Sequence, residues 1–157
     1  MGLYLGNTQL ISSAKYDLVE DDWKTFMYNM LIKGEVYIPF YVKYLNEYCF
    51  YYASNIKNVV FQENSKLEHI KRYCFYYCQS LTSIDISVCN NLQIIDYRAF
   101  SNCSSLTSIE IPSSVISIDN GAFSGCSNLT TITINKPQDS ISGAPWGATN
   151  ATVVWNG

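Results

Sequence analysis

The chain has 157 residues, a net charge of −3 and a pI near 5.0, and its ten basic residues are scattered. That excludes a nucleic-acid binder, which needs a basic face, and an apolar share of 48% excludes a disordered chain. One domain is expected, without membrane insertion, because no apolar run approaches the length of a bilayer span.

The opening MGLYLGNTQL has neither the basic n-region nor the apolar stretch of a signal peptide. Gly6 stands where a myristoylation signal needs Ser or Thr. Read as a complete chain, the protein is expected to be made in a cytoplasm and not exported by a cleavable leader. Leu3 and Leu5 alternate with small or polar neighbours, a pattern suited to an edge strand added to another protein's sheet. Residues 2–15 therefore read as an anchor into an assembly.

From Asp21 to Lys33 the apolar residues Trp23, Phe26, Met27, Met30 and Leu31 recur at helical spacing. Asp21 is a suitable N-cap and Gly34 a stop, so the spacing predicts an N-terminal capping helix over the first coil. Residues 1–35 form this N-terminal segment. A first strand, with Val36 and Ile38 facing inward, opens the next.

Residues 36–136 repeat. Phenylalanines fall at Phe50, Phe75, Phe100 and Phe123, spaced by 25, 25 and 23 residues. Aligned on them, apolar residues fill six further columns. Three residues after each Phe stand Ala53, Cys78, Cys103 and Cys126; six after, Ile56, Leu81, Leu106 and Leu129. Nine after come Val59, Ile84, Ile109 and Ile132; eleven after, Phe61, Ile86, Ile111 and Ile134. Five before each Phe lie Leu45, Ile70, Ile95 and Ile118, and eight before it Val42, Leu67, Leu92 and Val115. A period of this length means a solenoid of about four units, in which each coil buries its apolar columns only against its neighbours. The Leu-x-x-Ile-x-Ile stretch is strand-like, with Ile84 and Ile86 inward and Asp85 outward. The short Ala-Phe-Ser-x-Cys stretch suits one helical or 3₁₀ turn on the opposite side. Beyond it, residues 137–157 form a C-terminal cap: Pro137, Gly143, Pro145 and Gly147 break the pattern, Ala151 to Trp155 reads as a last strand, and Trp146 and Trp155 fold over the final coil.

Five of the six cysteines stand in repeat columns, the pattern of a buried ladder of small side chains. A zinc site begun by Cys74 and Cys78 has only His69 as a nitrogen ligand and no paired CxxC. Neither a metal nor a cofactor is expected, and disulfides are disfavoured by synthesis in a cytoplasm. Cys89 lies outside the columns and reads as the most accessible thiol. His69 is expected at the surface. No nucleophile–base set can be assembled around it, so the chain is not expected to be an enzyme.

Two groups are candidates for partner binding. Asp85 and Glu110 share an outward column, about 5 Å apart if their strands are neighbours; they suit a cation or a basic partner, or else form a solvated surface. Tyr51 and Tyr76 share one column and Tyr52 and Tyr77 the next, where later units carry Ser101, Asn102, Ser124 and Gly125. Lying between inward Phe and Cys columns, these four tyrosines should face outward as a patch, and exposed aromatic patches mark contacts. The alternative is packing under a neighbouring loop.

The IPSSV corner from Ile111, the AF-x-x-C turn and the CSSLTSI strand entry from Cys103 closely resemble the BspA-type leucine-rich repeat. The resemblance covers roughly residues 36–135 and is weaker in the first two units, where Tyr-Cys-Phe-Tyr-Tyr replaces the AFS core and Glu-Asn-Ser the Pro corner. It implies an α/β solenoid, right-handed, with a parallel β-sheet and short helical turns opposite, and a habit of adhesion and protein binding. MGLYLGNTQLIS resembles the opening of bacteriophage structural proteins, and SGAPWGATNATVVWNG the close of repeat proteins carried by such viruses. These resemblances imply a virion protein, contacting other virion proteins or a host-surface molecule and oligomeric through its assembly. The alternative is an adhesin of the bacterial cell surface.

Overall fold

The computed structural model describes residues 3–5, 8–11 and 32–157. The expected capping helix lies outside these residues for all but its last two positions, Ile32 and Lys33. In chain order the strands are β1 (Leu3–Leu5), β2 (Thr8–Ile11), β3 (Glu35–Ile38), β4 (Tyr44–Leu45), β5 (Asn58–Phe61) and β6 (His69–Ile70). There follow β7 (Ser83–Ile84), β8 (Ile94–Ile95), β9 (Ser108–Ile111), β10 (Ser117–Ile118), β11 (Thr131–Ile134) and β12 (Thr152–Trp155).

The odd-numbered strands from β3, together with β12, make the wide side of the solenoid as two parallel three-stranded sheets, β3-β5-β7 and β9-β11-β12. The even-numbered strands from β4 make a narrow parallel sheet, β4-β6-β8-β10. Six strands on the wide side bound about five turns. β7 ends at Ile84 for a local reason. Asp85 Oδ1 accepts from the Ser87 amide at 3.1 Å and the Ser87 hydroxyl at 2.6 Å. A side chain that folds back on its own backbone in this way competes with the ladder.

The columns form the core. Every member of the seven is buried except Ala53, which is partly so. The four phenylalanines stack through the interior, with centroids 5.0, 5.2 and 5.6 Å apart and rings within 13° of parallel. Burying each contributes about 2–3 kcal/mol. Past the last Phe the indole of Trp146 is wholly buried, its Nε1 donating to Ser142 O at 2.7 Å.

Helical turns do not form. Between residues 34 and 157 there is neither an α-helix nor a 3₁₀ helix. Alternate amides of each turn leave their own coil: Phe50 N donates to Cys74 O at 2.7 Å and Tyr52 N to Tyr76 O at 2.8 Å. Only the residues between keep local i→i−3 bonds, such as Ala53 N to Phe50 O at 3.1 Å. Each turn is a third intercoil ladder, and a helix would withdraw those donors from it. The expected anchor is also corrected where it is described. β2 runs antiparallel to the chain's own β4, with Ile11 opposite Leu45, and β1 pairs outside β2.

Candidate interaction face

Each turn carries two residues in left-handed conformation, which reverse the chain at its corners. Two positions before the Phe these are Tyr48 (φ 58°), Tyr73 (56°), Arg98 (52°) and Gly121 (72°). Two positions after it they are Tyr52 (57°), Tyr77 (59°), Asn102 (62°) and Gly125 (75°). Glycine and asparagine adopt this conformation readily; for a bulky side chain it is an outlier, costing roughly 1–2 kcal/mol. Both positions are glycine in the fourth unit and both are tyrosine in the first two.

The tyrosines so placed form one array with the other two. Tyr48 stacks on Tyr73 at 5.3 Å, Tyr51 on Tyr76 at 5.2 Å and Tyr52 on Tyr77 at 4.7 Å, each within 10° of parallel. Within a coil the neighbours meet edge to face, Tyr48 with Tyr51 at 5.3 Å and Tyr51 with Tyr52 at 4.7 Å. Tyr97 closes the far side edge-on to Tyr73 at 5.7 Å, with Arg98 over its ring. Stacking along the solenoid axis covers one face of each ring in these three pairs. Tyr52 is 54% exposed and Tyr51 43%, while Tyr76 and Tyr77 are half-buried. Burial against its neighbours, then the surrounding phenols, raises the pKa of Tyr51. An ion pair, Arg72 to Glu47 at 2.9 Å, borders the array.

The structure thus brings Tyr51, Tyr52, Tyr76 and Tyr77 together and adds Tyr48, Tyr73 and Tyr97. The signal for Tyr48 and Tyr73 was present, since they repeat at the same 25-residue spacing. Asp85 and Glu110 are not part of this array. Both are exposed on the wide side, but Asp85 lies past the end of β7 and is held by Ser87, while Glu110 accepts from Asn135 Nδ2 at 2.8 Å.

Other expectations are corrected. Ser101, aligned with Tyr51 and Tyr76, is buried, at 2% exposure. Cys89 is wholly buried, its thiol 3.7 Å from Ser65 Oγ, because the corner before Leu92 turns inward as Pro112 does before Val115. None of the six cysteines is in a disulfide. His69 is half-buried on the narrow sheet, with Nε2 2.9 Å from Asp96 Oδ2, close enough to pair as ions but out of line for a hydrogen bond.

A family model described as the BspA type leucine rich repeat region matches residues 23–147 in six copies. No curated protein matches the chain. Among solved structures, a leucine-rich repeat protein from Bacteroides ovatus is 26% identical with a TM-score of 0.46, the match covering 63% of this chain and 30% of that one. A leucine rich cell surface protein from Faecalibacterium prausnitzii is 27% identical with a TM-score of 0.34, over 64% of this chain and 38% of that one. The chain thus spans about a third of the length of these two structures.

Proposed function

We propose that this chain, which belongs to the BspA type leucine rich repeat family, is a non-enzymatic protein-interaction module whose contact surface is the tyrosine array. One observation carries the reading: Tyr48, Tyr52, Tyr73 and Tyr77 occupy left-handed positions that the fourth unit gives to glycine. The third unit carries Arg98 and Asn102 at these positions, and only glycine or asparagine adopts the conformation readily. Keeping tyrosine in both columns of two adjacent coils holds backbone strain against an exposed surface, and strain of this kind gathers where a surface is used. Tyrosine also offers large contact area with few rotatable bonds, which suits it to protein recognition.

The setting follows from other features. Likeness of the first and last segments to virus-borne proteins favours a virion, with other virion proteins or a host-surface molecule as partner. The family's adhesion habit favours a bacterial surface. Mass spectrometry of purified viral particles and of surface-shaved cells separates the two.

The contact itself is tested with Tyr51, Tyr52, Tyr76 and Tyr77 all replaced by Ser. The variant is expected to keep its circular dichroism and lose the proteins that photo-crosslink to the native face. Retention of the same crosslinked partners would sink the proposal, and an unfolded variant would move the tyrosines into the account of the fold.

A further inference from the structure

The step of 23 residues from Phe100 to Phe123 sets Cys103 opposite Cys126, and the ladders on both sides of the turn keep that offset. On the narrow side Ile94 pairs with Ser117 and Ile95 with Ile118; on the wide side Ser108 pairs with Thr131 and Ile111 with Ile134. Within the turn Phe100 N donates to Ala122 O at 2.9 Å and Asn102 N to Ser124 O at 2.7 Å. Cys103 and Cys126 are thus one strand spacing apart, about 4.8 Å at Cα, inside the range of roughly 4.4–6.8 Å that a disulfide spans.

Their side chains also meet. The Phe100 carbonyl accepts the Cys103 amide at 3.2 Å and the Cys126 thiol at 3.0 Å, and the two thiols hydrogen-bond to each other. Cys78 and Cys103 lack the double hold, since β7 and β9 belong to different sheets. Cys49 and Cys74 are in register and hydrogen-bonded, but burial, then Cys49, raises the pKa of Cys74 well above its ordinary value. Cys126 behaves differently. The bond from Cys103 holds it below the ordinary thiol value, against the opposing effect of burial. It is also the least buried of the six, at 3% exposure, between exposed Gly125 and Ser127. A thiolate is the reactive form of cysteine, so an oxidant small enough to pass these neighbours finds its nucleophile at Cys126.

We propose that Cys126 and Cys103 are a site of reversible oxidation by hydrogen peroxide, closing a disulfide between the third and fourth units. The Cys126 sulfur attacks one peroxide oxygen, the O–O bond breaks, and the departing hydroxide takes the thiol proton to leave as water. The Cys103 sulfur then attacks the resulting sulfenic acid. The S–O bond breaks, the S–S bond forms, and the hydroxyl leaves with the Cys103 proton as a second water. Two thiols give up two electrons and one peroxide accepts them. The bond ties two coils that otherwise hold each other only by packing and backbone ladders, and it constrains the unfolded chain.

The test uses the full reduced chain, treated with hydrogen peroxide at neutral pH and mapped by mass spectrometry of unreduced peptides. A single disulfide joining Cys103 to Cys126 is expected, with a rise of about 5–10 °C in Tm that a thiol reductant reverses. Cys103→Ser keeps a donor at its position but cannot close the bond. In that variant Cys126 should stop at the sulfenic acid, trapped by dimedone, with no rise in Tm. Cys78→Ala should leave the bond unchanged, and if Cys103→Ser fails to fold, the peptide map and this variant carry the test. Six thiols left reduced by peroxide, a bond joining Cys49 to Cys74 or Cys78 to Cys103 instead, or mixed bonds formed only as the chain unfolds would overturn the proposal.

Discussion

The thiol of Cys103 donates to the carbonyl of Phe75 on the preceding coil at 3.1 Å, and that carbonyl also accepts the amide of Cys78 at 3.2 Å. Cys78 stands in the same relation to Phe50 and Cys126 to Phe100, each at 3.0 Å. The column therefore selects for a small side chain that can donate. Cys103→Val keeps the volume and loses the donor, whereas Cys103→Ser keeps a donor. Valine should be the less stable by about 1 kcal/mol in chemical denaturation. The reverse order would show that apolar packing alone sets the column.

The phenylalanine stack is rigid on both sides of Phe100, with Phe75 at 5.2 Å and Phe123 at 5.6 Å. Neighbouring coils held by three ladders of backbone bonds have little freedom to collapse into a hole. Phe100→Ala should cost about 3–5 kcal/mol, a fall of roughly 10 °C in Tm for a chain of this size. A shift of a couple of degrees would contradict the register.

These columns were legible in the sequence because stacking makes every coil present the same residue type at the same inward place. The turns were not. Over five residues a helical turn and a laddered turn have the same apolar spacing, and what separates them is where the Phe50 and Tyr52 amides go, which depends on the next coil. The left-handed backbone at Tyr52 is invisible beside Tyr51 and shows only in Asn102 and Gly125 at the same column two and three units on. Cys89 escaped because two extra residues shift its corner out of register with the IPSSV form. Asp85 and Glu110 do share a column, but the Ser87 hydroxyl, two residues away, decides where the Asp85 carboxylate goes.

The tyrosine columns should respond unequally to glycine. At Tyr52 and Tyr77 glycine relieves the left-handed strain, which offsets the loss of ring stacking and the entropy of a freer chain. At Tyr51 and Tyr76, where φ is not positive, nothing offsets those losses. Tyr77→Gly should therefore cost less than Tyr76→Gly by about 1–2 kcal/mol, compared by denaturant midpoint. Equal costs would remove the strain on which the proposed contact surface rests.

The buried thiols predict an alkaline limit. Burial pushes Cys78 from an ordinary value near 9 to about 12, and Cys89 to about 11. A raised pKa means that the folded chain keeps protons the unfolded chain releases. Below pH 9 both states are protonated and stability is unaffected. Above it stability falls, by up to about 1.4 kcal/mol per pH unit for each thiol, until the folded thiol itself ionises near 11 or 12. The informative quantity is the difference between wild type and Cys89→Ala, which isolates this one thiol. That variant should lose less stability between about pH 9 and 11 than the native chain does. At neutral pH, maleimide should modify Cys89 only at the rate of unfolding. Identical pH profiles, or labelling of Cys89 as fast as a free thiol, would place it back at the surface, where its position outside the repeat columns first suggested it stood.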